Sequence, residues 1–140
     1  MKLNIPKTDV VLTKDGKWFP YINGFEVKVA RLNSRGYIKA LQKAMKENAE
    51  QISEDNDKSA ELQRKLMAEI YADHVLVDWR GLVDEDESHG DTIVLIPYSR
   101  QLVIELLSDA GYDHLYKFVT AKANVESNYY IEQSKDSVKN

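Results

Sequence analysis

The spacing of apolar residues changes several times along the chain, and each change marks an element. Residues 1–9 read as an irregular arm, and the β-branched run Val10-Val11-Leu12-Thr13 predicts a short strand stopped at Lys14-Asp15-Gly16. Asp15-Gly16 and Asn23-Gly24 both favour the positive φ of hairpin turns, so Trp18 to Ile22 is bracketed and a three-strand meander is expected. Its third strand, Phe25-Glu26-Val27-Lys28-Val29, alternates strictly, which puts Phe25, Val27 and Val29 on a buried face and Glu26 and Lys28 in water. Pro20 has no N–H to give to a ladder, so the middle strand must bulge there.

Beyond Asn33-Ser34 the period becomes helical. Tyr37, Ile38, Leu41, Ala44 and Met45 share one face, with Ser34 as the N-cap. A second helix is expected from Asp57 or Ser59 to Trp79, stopped by Gly81, with a stripe of Leu62, Leu66, Ile70 and Val77. Asp73 falls inside that stripe. An acidic loop, Asp84-Glu85-Asp86-Glu87, leads through Gly90-Asp91 to the β-branched run Thr92 to Ile96, which Pro97 ends. Ser99 then caps a helix carrying Leu102, Val103, Leu106 and Leu107, with Tyr98 stapling onto Val103 and Gly111 as a left-handed stop. Asp113 caps a last helix with Leu115, Phe118 and Val119 on its core face. Lys122 and Glu126 continue that face, so the helix should leave the body near Lys122, pair the two charges across one turn, and present Tyr129, Tyr130 and Ile131 as an exposed partner-binding cluster. The elements amount to a mainly α-helical α+β fold, an N-terminal meander on about four helices. Residues 1–133 form a single domain and 134–140 a frayed tail.

Composition narrows the function classes. The 140 residues contain no cysteine, which removes disulfides, thiolate metal sites and cysteine nucleophiles. With 19 Lys+Arg against 23 Asp+Glu the net charge is -4, and no basic block interleaves with aromatics, so nucleic acid is not an expected partner. No apolar run reaches the ~18 residues of a membrane span. The start, Met1 to Pro6, lacks a secretory h-region, which places the protein in a cytoplasm.

Few residues offer chemistry. Asp84-x-Asp86-x-Ser88 opens like a calcium loop, but His89 stands where glycine and Leu95 where a bidentate Glu belong, leaving a solvated acidic loop. His74 and Asp78, four apart on the expected helix, could share a metal if His89 or the acidic loop gave a third ligand. Asp73 on an apolar stripe needs a partner or a raised pKa: a general base on the functional reading, a hydrogen bond to a tyrosine, arginine or cap on the structural one. A small hydrolase or metal-dependent enzyme around Asp73, His74 and Asp78 is therefore the alternative to a non-enzymatic role. Nucleophile elbows, phosphate loops and dinucleotide fingerprints are absent, and no cofactor is expected.

From residue 76 a longer succession emerges: Leu76-Val77-Asp78-Trp79-Arg80-Gly81-Leu82, the acidic loop, Ile96-Pro97-Tyr98-Ser99, Leu106-Leu107-Ser108-Asp109, Tyr112, Leu115, Phe118-Val119 and Ala123-Asn124. In order and spacing it resembles the tail assembly chaperones of long-tailed, non-contractile bacteriophages, most closely over residues 70–124. Trp18-Phe19 and Arg31-Leu32-Asn33 add to the likeness. In this reading Asp78, Trp79, Gly81, Tyr98 and Ser99 are architectural, and the loop between Asp84 and Ile96 is longer than the family pattern. The resemblance implies a morphogenesis factor of the host cytoplasm, outside the mature virion. It would bind the tape measure protein, keep it soluble, and help recruit tail tube protein through a longer frameshifted product. It also implies self-association. Val138-Lys139-Asn140 can be encoded by a slippery A-AAA-AAC run, as such a product would require.

Overall fold

The computed structural model describes residues 1–132, so the tail expected at 134–140 and the Val138-Lys139-Asn140 run lie outside the described residues. In chain order the elements are α1 (Val10–Asp15), β1 (Lys17–Ile22), β2 (Phe25–Val29), α2 (Arg35–Glu47), α3 (Ala49–Ser53), α4 (Asp57–His74), β3 (Leu76–Arg80), α5 (Arg100–Ser108) and α6 (Asp113–Ala123). The fold is the expected mainly helical α+β arrangement, with one antiparallel sheet ordered β1-β2-β3.

The third strand comes from an unexpected place. Val10 to Thr13 is helical: Asp9 accepts from the Leu12 amide at 3.1 Å, and Gly16, at φ +92°, ends the turn. Caps at both ends outweigh the β preference of two valines and a threonine, whose side chains stay outside the core. The sheet is completed instead by residues 76–80, expected as the end of a helix. α4 stops at His74, and Val75, wholly buried, turns the chain so that Leu76 to Arg80 pairs with β2. An open edge on β2 and buried positions for Leu76 and Trp79 decide the conformation; Gly81 follows a strand rather than ending a helix. Within the β1-β2 hairpin Asn23 and Gly24 take positive φ, the register shifts after Pro20, and Val27 and Val29 are fully buried, as the sequence indicates. Phe25 is only half-buried.

Ser34 caps α2 by accepting from the Tyr37 amide at 3.2 Å, and Ser99 caps α5 by accepting from that of Leu102 at 3.1 Å. Along α2, Tyr37 is buried but Ile38 and Met45 are exposed, because the helix packs chiefly against α4 and that neighbour covers only part of its apolar face. Three expected stops and caps are replaced. α5 ends before Gly111, which sits in a 3-10 turn without positive φ. Asp113 is the first residue of α6, and its carboxylate pairs with Lys117 at 3.0 Å and Arg64 at 3.3 Å instead of capping. α6 ends at Ala123, and a 3-10 turn, Glu126–Tyr129, folds the chain back onto the body.

A single core joins these layers. Val27 and Val29 of β2 meet Ala68, Ile70 and Tyr71 of α4, Val103 and Leu107 of α5, and Leu115 and Val119 of α6. Among the described residues, no buried side-chain nitrogen or oxygen lacks a hydrogen-bond partner.

Candidate functional site

The residues expected to present a partner surface part company. Tyr129 has no exposed surface, and its hydroxyl donates to the Val29 carbonyl at 2.9 Å. Its own carbonyl accepts from the Asp9 amide at 2.7 Å, while Thr8 bridges Tyr130 and the Ile131 amide donates to Lys7 O at 2.8 Å. The segment is thus stitched to the N-terminal arm. Tyr130 is half-buried, and only Ile131 projects, 49% exposed. The charges that were to lift this segment away have other partners. Lys122 Nζ sits 5.5 Å over the rings of Phe19 and Phe118, and Glu126 pairs with Arg31 at 3.4 Å. Burying the charges is avoided by aiming them at rings and an arginine rather than by extending the helix.

The trio of the hydrolase alternative is also separated. Asp73 and His74 end α4, whereas Asp78 lies on β3, where its carboxylate accepts from the Trp79 amide at 2.8 Å; the helical i,i+4 pairing does not exist. Asp73 is gripped from both sides by the Arg100 guanidinium, at 2.6 and 3.1 Å, and these hydrogen bonds hold its carboxyl below the usual carboxylate range. It is ionised at neutral pH, with both oxygens engaged. A cavity of about 540 Å³ adjoins it, lined by Lys14, Arg31, Arg35, His74 and the hydroxyls of Thr13 and Ser34. The Thr13 hydroxyl donates to Val10 O, and Ser34 Oγ is committed to the α2 cap. His74 lies so close to the first turn of α2 that a Cβ on Gly36 would come within 2.9 Å of its ring. Among the described residues no group of three or more His, Asp or Glu is placed to hold a metal.

Asp73 and Arg100 are 44% and 55% exposed, so their pair is a surface clamp. A cycle of Asp73→Asn, Arg100→Gln and the double variant should give a coupling of no more than about 1 kcal/mol. Because the Asp73 pKa is lowered on folding, the contribution is present at neutral pH and disappears as pH falls through the carboxylate range. Urea unfolding at about pH 7 and about pH 3 checks it, and equal coupling at both would contradict the assignment.

The residues of the succession beginning at Leu76 converge. Trp79, buried on β3, donates through Nε1 to Ile96 O at 2.9 Å. Tyr98 packs edge-on against Trp79, centroids 5.1 Å apart, and its hydroxyl donates to Leu76 O at 2.7 Å. Ser99 starts α5 directly after it. Gly81, at φ +77°, passes so close to the β1-β2 turn that a Cβ would lie 2.2 Å from Gly24 O. β3, the following loop and α5 are therefore one clamped unit.

Out of that unit stands a hairpin. Val83 bridges Leu95, the Asp84 amide donates to Val94 O at 2.9 Å, and Ile96 N donates to Leu82 O at 2.7 Å. His89 and Thr92 exchange hydrogen bonds at 3.0 and 2.9 Å around Gly90-Asp91, with Gly90 at φ +59°. The run expected from Thr92 to Ile96 thus forms the returning limb of a narrow ribbon. Ile93, Val94 and Leu95 are 66%, 38% and 55% exposed.

Fold and surface define a mainly helical α+β protein in which Trp79, Gly81 and Tyr98 build the frame around β3. A family model described as YdaY prophage protein matches residues 32–140, and the chain belongs to that family. It is accordingly a phage-derived protein. No curated protein and no solved structure matches the chain.

Proposed function

We propose that this protein is a non-enzymatic tail assembly chaperone, acting in the host cytoplasm, that binds the tape measure protein, keeps it soluble and helps recruit tail tube subunits. Membership of a prophage family supplies the phage setting. The observation that carries the finer reading is the clamped unit of β3, hairpin and α5. The residues that resemble tail assembly chaperones, Asp78, Trp79, Gly81, Tyr98 and Ser99, are spent on positioning backbone, and the hairpin they hold out carries exposed aliphatic side chains. A rigid body carrying uncovered aliphatic side chains suits a holdase, which shields the apolar stripe of a helical client until assembly. Self-association and a longer frameshifted partner product belong to the same reading.

The test is co-expression with the tape measure protein encoded in the same prophage. The chaperone should raise the soluble fraction of that client severalfold over an unrelated protein of similar size and charge. Equal solubility with and without it would refute the reading.

A further inference from the structure

We propose that the hairpin of residues 83–96 is the client-docking surface and that it takes an amphipathic helix whose apolar stripe is flanked by Lys and Arg. The inference rests on the chaperone reading for the helical nature of the client, and on the hairpin itself for the rest.

The hairpin is a built structure rather than a slack connection. Besides its ladder, Ser88 Oγ donates to Asp84 O at 2.6 Å and accepts from the Val94 amide at 2.9 Å. Asp84 Oδ1 accepts from the amides of Asp86 and Glu87 at 3.1 and 3.3 Å. Its root is fixed by the Trp79 indole bond to Ile96 O. Yet a ribbon two strands thick has no layer to cover it, and such a ribbon alone is marginal in water. An uncharged aliphatic run held extended in solvent is also an aggregation hazard unless something covers it. Ile93 and Leu95, two residues apart on the returning limb, fall on one face of the ribbon and are the more exposed of its aliphatic residues, so that face is the one open to an outside partner.

Charge identifies that occupant. Glu85, Asp86, Glu87 and Asp91 flank the aliphatic run and are all exposed. Where the fold uses a carboxylate to join two elements it gives it a cation, as with Glu26 and Arg80, Asp73 and Arg100, Asp113 and Arg64, and Glu126 and Arg31. Among the described residues none of the hairpin's carboxylates forms an ion pair, and between residues 83 and 96 His89 is the only basic side chain. An apolar strip inside an uncompensated negative rim selects a partner with apolar centre and basic margins, and the rim charges would govern partner choice and on-rate while the aliphatic contacts govern lifetime.

Three fluorescein-labelled peptides of about 18 residues serve as probes: a Leu/Lys helix with Leu at helical spacing, its Leu/Glu twin, and a Leu/Lys peptide alternating with strand period. Anisotropy should show the Leu/Lys helix bound and the Leu/Glu twin unbound. Ile93→Ser with Leu95→Ser should weaken binding at least tenfold with a melting temperature within about 2 °C of the parent, since both side chains are exposed. Glu85→Lys with Glu87→Lys leaves two lysines against Asp86 and Asp91, so it should weaken binding of the Leu/Lys helix severalfold and narrow its margin over the Leu/Glu twin. Unchanged binding by the Ile93/Leu95 variant would overturn the proposal, as would tighter binding of the strand-period peptide. A parent dimer that sedimentation velocity shows dissolved by the same two substitutions, without peptide binding, would assign the hairpin to a second copy instead. If parent and hairpin variant solubilise the tape measure protein equally, the docking assignment fails and the chaperone reading stands. If the parent leaves that protein insoluble while the peptides behave as expected, the chaperone reading fails and the docking chemistry stands.

Discussion

Tyr129→Ala is expected to cost about 3–5 kcal/mol of folding stability, read as a large fall in the urea midpoint with the denaturant slope unchanged. The ring is among the largest wholly buried side chains, and its removal leaves a void under β2 as well as deleting the bond to Val29 O. Tyr129→Phe separates the two effects: it keeps the ring and removes only the hydroxyl, for about 1–2 kcal/mol. Burial also pushes the Tyr129 phenol well above its ordinary 10.0. The unfolded chain ionises first, so the stabilisation is complete below about pH 10 and is lost as pH rises beyond it. Tyr129→Phe should flatten, though not abolish, the alkaline decline, because burial raises Tyr71 in the same direction. A Tyr129→Ala protein within about 1 kcal/mol of the parent would show that the segment does peel away from the body after all.

Gly81→Ala is expected to cost about 3 kcal/mol or more, from two sources that a second glycine can separate. An alanine there must hold φ +77°, and its methyl would meet Gly24 O at 2.2 Å, a backbone atom in a hairpin turn that cannot swing aside. Gly90 also has positive φ, +59°, but nothing lies within 4 Å of its would-be Cβ. Gly90→Ala should therefore show the backbone term alone, about 1 kcal/mol. The difference between the two unfolding free energies measures the close approach of β3's exit to the β1-β2 turn. Equal losses would mean that the turn yields.

What the sequence makes legible here is what local chemistry settles. The Asn23-Gly24 hairpin, the alternation that buries Val27 and Val29, the break at Pro20 and the caps at Ser34 and Ser99 each depend on residues a few positions apart. β3 depends on something else. Leu76 to Trp79 could extend the apolar stripe of α4, and what makes it a strand is the vacant edge of β2, some fifty residues earlier in the chain. One sign was present: Asp73 interrupts the stripe one turn before Val77, at the point where the helix stops. At α1 the caps Asp9 and Gly16 stand in the sequence beside β-branched residues that favour a strand, and the caps prevail. Lys122 and Glu126 marked a real problem on the face of α6, solved by Phe19, Phe118 and Arg31, whose proximity no spacing rule reveals. The hairpin's acidic and aliphatic halves were each visible as sequence; their placement on one uncovered ribbon was not.

The stitching of residues 129–131 to residues 7–9, with Tyr129 reaching Val29, has a consequence for biosynthesis. β2 is made early, but part of its cover arrives about a hundred residues later, so the nascent chain cannot close over it while the ribosome works through α4, α5 and α6. At about 5–20 residues per second that interval is several seconds, with β2 incompletely sheltered and β3 still to come. Contacts of such long sequence separation slow the final closure. The nascent chain thus passes through a stage at which its own apolar surface most depends on being left alone.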